Sequence, residues 1–288
     1  MGRIAERSAS FAGVSTRVLQ IAGEGPPILL LHGYSDSADT WRAVLRLLEG
    51  EQAAIAVDLP GFGRASRPAA GPLLPVIDAF VAELVRAHAT EGPVVLSGNS
   101  LGAVAALRAA HDPTLPLAGI APISPAGLGH APWVDMIARQ PAIHRILAVR
   151  LPLPSYLIRR AAAAAYARLG CADPARADQE AVHLYASHFR TAADIRRIVA
   201  GAWTLLAELG EGYAALETIA CPVMMIWGER DVLVPISGAR RVLEAVPGSR
   251  LETLAGVGHC AQVEDPARIA QLLVDFQHEC QARIGSAA

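Results

Sequence analysis

The segment Gly98–Gly102 places a serine where nucleophilic chemistry is possible. It reads Gly-Asn-Ser-Leu-Gly and lies between an apolar stretch, Val94–Ser97, and a helical pattern that begins at Leu101. A serine on a tight turn from strand to helix stands out from the sheet, and small neighbours permit that backbone. The start of the helix offers unpaired N–H groups to an oxyanion. Ser100 is therefore the candidate nucleophile, and a glycine-rich phosphate-binding turn is disfavoured because GxGxxG is absent here.

A serine nucleophile requires a base, and the base requires an acid that orients it. His259 follows the predicted strand Leu251–Leu254, and Asp231 follows the predicted strand Val223–Trp227. We therefore predict that His259 is the base and Asp231 the acid. Glu229 follows the same strand as Asp231 and is the alternative acid.

Two backbone amides are candidate donors to an oxyanion. His32–Tyr34 closes the predicted strand Pro27–Leu31, and a chain reversal there directs an N–H toward the serine. The second donor is the N–H of Leu101, directly after the nucleophile. Donors that are held in place before the reaction stabilise the developing charge by several kcal/mol. We predict an oxyanion hole made by the Tyr34 and Leu101 amides. His32 is interpreted as a brace for this loop, with contact to substrate as the alternative.

The composition excludes several other chemistries. All 25 side chains counted as lysine or arginine are arginine, which rules out a lysine Schiff base, a Ser-Lys dyad and a P-loop. A formal net charge of −2 offers no basic footprint for nucleic acid. The four cysteines show no CxxC pair and no zinc-ligand spacing. We therefore expect no metal, no nucleic-acid partner and a reduced, cytoplasmic setting.

A membrane span is not expected, although one run without Asp, Glu or Arg is long enough. That run is Pro113–Val134, and its repeated prolines and glycines would break a spanning helix. Met1–Ser10 carries charges with no apolar stretch behind them, unlike a signal peptide.

Short apolar runs alternate with helical patterns along most of the chain. The further predicted strands are Val18–Ile21, Ala53–Val57 and Leu117–Ile123, and the predicted helices are Ala38–Leu48, Leu73–His88, Leu101–Ala110, Ser237–Ala245 and Ala267–Arg283. Strands this apolar, alternating with helices, indicate an α/β fold with a mostly parallel sheet covered on both faces. Residues 126–212 lack strand patterns and are rich in alanine and arginine. We expect a core of residues 1–125 and 213–288 and an inserted helical cap of residues 126–212.

Taken together, these motifs resemble the alpha/beta-hydrolase superfamily. The resemblance covers roughly residues 20–125 and 214–284 and is carried by His32-Gly33, Asp58–Gly63, Gly98–Gly102, Trp227–Asp231, Gly258-His259, Glu264 and Pro266. It implies the alpha/beta-hydrolase fold, and it makes the residues matching Ser100, Asp231 and His259 the nucleophile, acid and base in the chain order of that fold. It also implies a structural turn at Asp58–Gly63 and a supporting role for Glu264 at a helix start.

The resemblance also bears on the reaction. The segment Ser124–Gly129 is similar to one found in monoacylglycerol-lipase-like carboxylesterases and in hydrolases of meta-cleavage products. The latter usually have a glycine-rich loop after His-Gly, whereas this chain has Tyr34–Ser37, which favours ester cleavage. We therefore expect a cofactor-free serine hydrolase that cleaves small hydrophobic carboxylic esters through an acyl-enzyme. The alternatives are C–C bond hydrolysis, a perhydrolase or haloperoxidase activity, and a ligand receptor or scaffold on the same fold.

The apolar character of the expected cap suggests a hydrophobic acyl chain or ring as substrate. Four apolar residues of the expected cap could equally be its ordinary core, so none is assigned to the pocket: Leu151, Leu153, Tyr156 and Leu157. The sequence leaves the oligomeric state open.

Overall fold

The computed structural model describes residues 4–68, 71–129, 154–209, 213 and 215–287. One eight-stranded sheet runs through this part of the chain. Its strands, β1 to β8 in chain order, are Ala5–Phe11, Val14–Ile21, Glu24–Leu31, Gln52–Val57, Val94–Asn99, Leu117–Ile123, Met224–Gly228 and Arg250–Leu254. The α-helices within the described residues, α1 to α9, are Arg42–Leu48, Leu73–His88, Leu101–Ala109, Ser155–Gly170, Gln179–Ser187, Ala192–Leu209, Ala239–Ala245, Ala261–Glu264 and Pro266–Ala287.

The strand order places the ends of four parallel strands along one edge of the sheet. The order is β1-β2-β4-β3-β5-β6-β7-β8. The β1–β2 and β2–β4 pairs are antiparallel, whereas every pair from β4 to β8 is parallel. The loops that follow β3, β5, β7 and β8 therefore leave the sheet at the same edge, which is where open α/β sheets bind their ligands.

Helices cover both faces of the sheet because its strands are apolar on both sides. On β3, Ile28 and Leu30 are buried in one cluster with side chains of α1 and α9. Leu29 and Leu31 are buried in a second cluster with side chains of α2 and α3. Successive side chains of a strand point to opposite faces, so the unbroken apolar run of β3 is what a sheet between two helical layers requires.

The helices α4, α5 and α6 lie between β6 and β7 in the chain, and α4 packs against α5. The alanine run 161–165 lies in α4, as its high helix propensity predicts. Tyr156 and Leu157, near the start of α4, are exposed, so neither is core of this region as described. Leu151 and Leu153 lie outside the described residues. No α-helix in the described ranges has both the length and the apolarity needed to cross a bilayer.

The sequence predictions of the fold are confirmed, with local differences. β1 was not predicted, because most of its side chains are exposed and it carries few apolar residues. Residues 38–41 form a short 3-10 turn before α1 rather than its first turn. The short α8, which directly follows His259 and Cys260, was also missed, since four residues are too few for a helical pattern.

Candidate active site

Ser100 stands on a strained turn between β5 and α3. Its backbone has φ +52° and ψ −107°, a region that side-chain-bearing residues rarely adopt. The turn is tied down on both sides, because the Ser100 N–H donates to the Ile123 carbonyl at 2.9 Å and its own carbonyl accepts the Val104 N–H at 3.0 Å. The side chain therefore projects from the sheet edge at the start of a helix, as the sequence predicts.

The two glycines around Ser100 are required by close backbone contacts. A Cβ on Gly98 would lie 2.4 Å from the carbonyl carbon of Gly102, and one on Gly102 would lie 2.4 Å from the Leu31 carbonyl oxygen. Any side chain at either position would separate α3 from β3 and β5. The Gly-Asn-Ser-Leu-Gly pattern is thus explained by packing as well as by the turn.

His259 and Asp231 are brought together from the ends of β8 and β7. His259 Nδ1 lies 2.8 Å from Asp231 Oδ2, and both side chains are buried. The second carboxylate oxygen of Asp231 accepts the N–H groups of Leu233 and Val234, each at 2.9 Å. A carboxylate only accepts hydrogen bonds, so Nδ1 carries the proton and His259 Nε2 is left as an acceptor.

The environment of Asp231 favours its charged form. Burial alone would raise the pKa of this carboxyl group, but interaction with His259 and the Leu233 and Val234 amides outweighs burial. The pKa of Asp231 therefore lies below its usual value, and the side chain is ionised at neutral pH.

Glu229, the alternative acid, is placed elsewhere. Its side chain is exposed, and Oε2 accepts the Gly256 N–H at 3.0 Å rather than a histidine proton. Within the described chain, Asp231 is the carboxylate that contacts His259.

The loop after β3 lies directly against Ser100. A Cβ on Gly33 would lie 3.5 Å from Ser100 Cβ and 3.2 Å from Asn99 Oδ1. In the described part of the chain, neither the Tyr34 amide nor the Leu101 amide donates to a protein acceptor. Tyr34 lines the same cavity as Ser100, and Leu101 directly follows Ser100 in the chain; an oxyanion hole made by their amides stays a prediction.

His32 braces this loop. Its side chain is fully buried, Nδ1 lies 2.7 Å from the Gly33 carbonyl, and Nε2 accepts the Leu59 N–H at 2.8 Å. Burial lowers the pKa of His32 to about 4, so the ring is neutral and joins the ends of β3 and β4. His32 does not line the cavity at Ser100, in agreement with the structural interpretation.

Ser100 and His259 line one cavity of about 250 Å³. The loop after β3 and the helices α4 and α5 supply much of the rest of its wall, including Tyr34, Leu169 and Tyr185. No hydrogen bond joins Ser100 Oγ to His259 among the described residues, a common state for catalytic pairs without substrate.

Asn99 is a site residue that the motif alone did not identify. Its Nδ2 donates to the His259 carbonyl oxygen at 2.9 Å, which ties the loop after β8 to the turn that carries Ser100. Gln262 Nε2 approaches Asn99 Oδ1 at 3.4 Å and donates to Thr40 Oγ1 at 3.0 Å. Asn99, the residue before the serine in the Gly-Asn-Ser-Leu-Gly motif, therefore holds the backbone of His259 in place. The two residues are far apart in sequence.

Glu264 has a different role from the one expected. It does not support a helix start at Pro266; its carboxylate accepts three backbone N–H groups from two separate segments. Oε2 accepts Gly258 at 2.7 Å and Ala172 at 2.9 Å, and Oε1 accepts Asp173 at 2.8 Å. The chain just after α4 is thereby joined to the residue that precedes His259.

Metal-ligating side chains and the four thiols are further candidate groups among the described residues. No cluster of three or more His, Cys, Asp or Glu side chains there suits a metal ion. The four cysteines are unpaired. Burial raises the pKa of Cys260, which lines the cavity, so its thiol is not an activated nucleophile.

The amino-acid sequence of this chain is similar to those of known proteins. Residues 28–272 match the alpha/beta hydrolase family. An uncharacterised protein of Mycobacterium tuberculosis is 28% identical over 90% of this chain and 77% of its own length. The monoacylglycerol lipase ABHD6 of Mus musculus is 25% identical over 88% of this chain and 76% of its own length. The 2-hydroxy-6-oxo-6-(2'-aminophenyl)hexa-2,4-dienoic acid hydrolase of Metapseudomonas resinovorans is 24% identical over 94% of this chain and 90% of its own length.

Among solved structures, a thermophilic esterase from Thermogutta terrifontis superimposes with a TM-score of 0.72. It is 21% identical and covers 97% of this chain and 99% of its own. The likeness at this identity shows that the two proteins share a fold.

Proposed function

The chain belongs to the alpha/beta hydrolase family, and from that premise we propose that it is a serine hydrolase of carboxylic esters with hydrophobic acyl groups. The proposal is carried by one observation: a histidine paired with a buried carboxylate at 2.8 Å lines the same cavity as a serine on a strained turn. Esterases and a monoacylglycerol lipase among the similar proteins support the ester as the substrate class.

The acylation step follows from the assigned proton positions. His259 Nε2 removes the proton of Ser100 as Oγ forms a bond to the ester carbonyl carbon. Asp231 holds Nδ1–H and stabilises the resulting imidazolium. The C–O bond then breaks, and the alcohol leaves with the proton from Nε2.

Water completes the reaction by the reverse sequence. His259 deprotonates the water as it attacks the acyl carbon, and Ser100 Oγ leaves with that proton. In both steps the carbonyl oxygen becomes negative and receives the Tyr34 and Leu101 N–H groups. Among the described residues those amides have no protein acceptor, so they are available to the substrate oxygen in this proposal.

Residues 126–212 form the cap in this proposal. The described helices α4 and α5 provide Ala165, Leu169 and Tyr185 to the cavity wall. These side chains are mainly apolar, which suits an acyl chain or ring placed between the cap and the sheet edge.

A covalent probe tests the nucleophile. The protein should be labelled by a fluorophosphonate, and Ser100→Ala should abolish the label. Ser35→Ala is the matched control, because Ser35 lines the same cavity and its variant should still be labelled. A folded wild-type protein that takes no label would contradict the proposal and favour a receptor or scaffold.

Hydrolysis of C–C bonds is the second candidate, favoured by the similarity to the dienoic acid hydrolase of Metapseudomonas resinovorans. A substrate panel separates the two. It combines p-nitrophenyl esters from acetate to palmitate, a monoacylglycerol and a meta-cleavage dienoate, whose cleavage removes its visible absorbance. Ester hydrolysis should exceed dienoate cleavage in kcat/KM; the reverse order would replace the ester proposal with the C–C reaction.

A further inference from the structure

A buried carboxyl group that catalysis does not use lines the cavity at Ser100. It belongs to Asp36, in the loop after β3, and the residue is 5% exposed. In a cavity of about 250 Å³, any substrate that reaches Ser100 is close to this group.

Asp36 is held by neutral donors. Oδ1 accepts the Ser37 N–H at 2.8 Å, and Oδ2 accepts the hydroxyl of Tyr166 from α4 at 2.8 Å. The nearby guanidinium of Arg17 is bound instead to Asp39 and Asp58. Asp36 makes no ion pair within the described residues, so its charge, when present, is not cancelled locally.

The rest of the described cavity wall adds no fixed positive charge. Its described lining residues include no arginine, and the chain has no lysine. His259 is the one basic side chain among them, and it is paired with Asp231. A substrate carboxylate in this cavity would lie close to the carboxylate of Asp36, and no cation of the described wall would offset their repulsion. Repulsion between like charges is strong at low dielectric.

We infer that Asp36 selects substrates by charge: the site accepts uncharged esters and discriminates against substrates that carry a carboxylate. This inference rests on the proposed ester hydrolysis and narrows its substrate class. It also disfavours dienoic acids, which are carboxylates at neutral pH.

The selection depends on pH. Burial raises the pKa of Asp36 to about 7, despite the hydrogen bonds from Tyr166, Ser37 and Thr40 that lower it. Asp36 therefore becomes charged as the pH rises through about 7, and discrimination grows over that range. The other titratable groups that interact with it stay in one form there: burial raises the pKa of Tyr166, Tyr185 and Cys260, and Arg17 and Arg42 hold the pKa of Asp39 at about 2 against its burial.

Two matched substrate pairs test the inference. p-Nitrophenyl methyl glutarate and p-nitrophenyl hemiglutarate differ by a charge on the acyl chain. Methyl 4-acetoxybenzoate and 4-acetoxybenzoate differ by a charge on the leaving group. The readout is the ratio of kcat/KM for the neutral over the anionic member, after the rate of hydrolysis without enzyme has been subtracted for each substrate. Because both members of a pair react through the same catalytic groups, the effects of pH on those groups cancel in the ratio.

At pH 8 the wild type should favour the neutral member of at least one pair by about tenfold or more, as like charges within about 8 Å predict at an effective dielectric near 20. The ratio should fall as the pH is lowered to 6. Asp36→Asn keeps the acceptor for Ser37 and should bring the ratio near one at every pH. Tyr185→Phe removes a hydroxyl that bonds Ser35 rather than Asp36, and should keep the wild-type ratio and its pH dependence.

The outcomes separate this inference from the proposed function. Neutral esters hydrolysed with ratios near one for both pairs, or a ratio unchanged in Asp36→Asn, would overturn the charge selection alone. If Asp36→Asn does not fold, a wild-type ratio that stays constant from pH 6 to 8 would also overturn the charge selection. A folded protein that hydrolyses no ester and takes no fluorophosphonate label would overturn the ester hydrolase itself.

Discussion

The left-handed backbone of Ser100 stores strain at a single residue. A non-glycine residue in such a conformation costs about 1–3 kcal/mol, which the buried strands and helix around it must offset. The hydrogen bonds of its N–H and carbonyl groups hold the turn, and this turn places Ser100 in the wall of the cavity.

The identity of the acid is a question about one side chain. Asp231→Asn should lower kcat for p-nitrophenyl butyrate by about 10³–10⁴-fold, because an amide can donate to Nδ1 and leave His259 in the wrong tautomer. Glu229→Gln should lower kcat by less than about threefold, since Glu229 contacts Gly256 and not the histidine. Thermal unfolding of both variants checks that the fold is retained.

The two single substitutions are matched, each replacing one carboxylate by its amide after β7. Equal losses in both would leave the acid unassigned, and near-normal turnover in Asp231→Asn would remove Asp231 from that role.

Contacts between elements place the histidine. β7 and β8 carry Asp231 and His259 to the sheet edge, but the loop after β8 is also tied to α4 through Glu264. Because the Gly258 N–H is one of three that this buried carboxylate accepts, the chain after α4 and the position of His259 are coupled.

Glu264→Gln should lower both the free energy of unfolding and kcat. One carboxylate oxygen becomes an NH₂ group that faces N–H donors, so the variant should lose about 1–3 kcal/mol in the free energy of unfolding. Its kcat should also fall, because the residue before His259 loses its anchor. Denaturant unfolding and steady-state kinetics measure the two effects.

Glu180→Gln is the matched control. Glu180 joins α5 to Arg46 of α1 through an ion pair at 2.6 Å whose partners are both more than 40% exposed. Such surface pairs contribute about 0–1 kcal/mol, so this variant should stay close to the wild type. If Glu264→Gln changed the unfolding free energy no more than Glu180→Gln does, the coupling would be refuted.

Burial of ionisable groups sets the response of the whole molecule to acid. His32 is neutral in the folded state with a pKa of about 4, against 6.5 for an exposed histidine. Between these values the unfolded chain takes up a proton that folded His32 does not. Its contribution to stability is therefore present above pH 6.5 and is lost as the pH falls toward 4.

His32→Gln should make the molecule less sensitive to pH in that window. The variant should be less stable than the wild type at pH 7.5, and the difference should shrink by about 3 kcal/mol on acidification to pH 4. Urea unfolding of both proteins at several pH values measures the difference, in which histidines common to both cancel. If the free energies of unfolding of the two proteins changed with pH in parallel, His32 would not change its protonation on unfolding.

The sequence alone identified the sheet and the candidate triad because both depend on local patterns. Buried strands such as Leu29–Leu31 are apolar throughout, and the strand-turn-helix at Ser100 needs small residues at fixed positions. The sequence does not predict β1, because its exposed residues lack the apolar run of a buried strand. β1 becomes the outermost strand of the sheet through its pairing with β2.

Tertiary structure decided whatever depends on residues far apart in the chain. It selected Asp231 over Glu229 as the partner of His259, because the two acids leave the same strand end in different directions. It joined Asn99 to the His259 backbone and put the carboxyl group of Asp36 in the cavity. The periodicity of a sequence reports which face of an element is buried, whereas a hydrogen bond across 160 residues depends on the packing of complete elements.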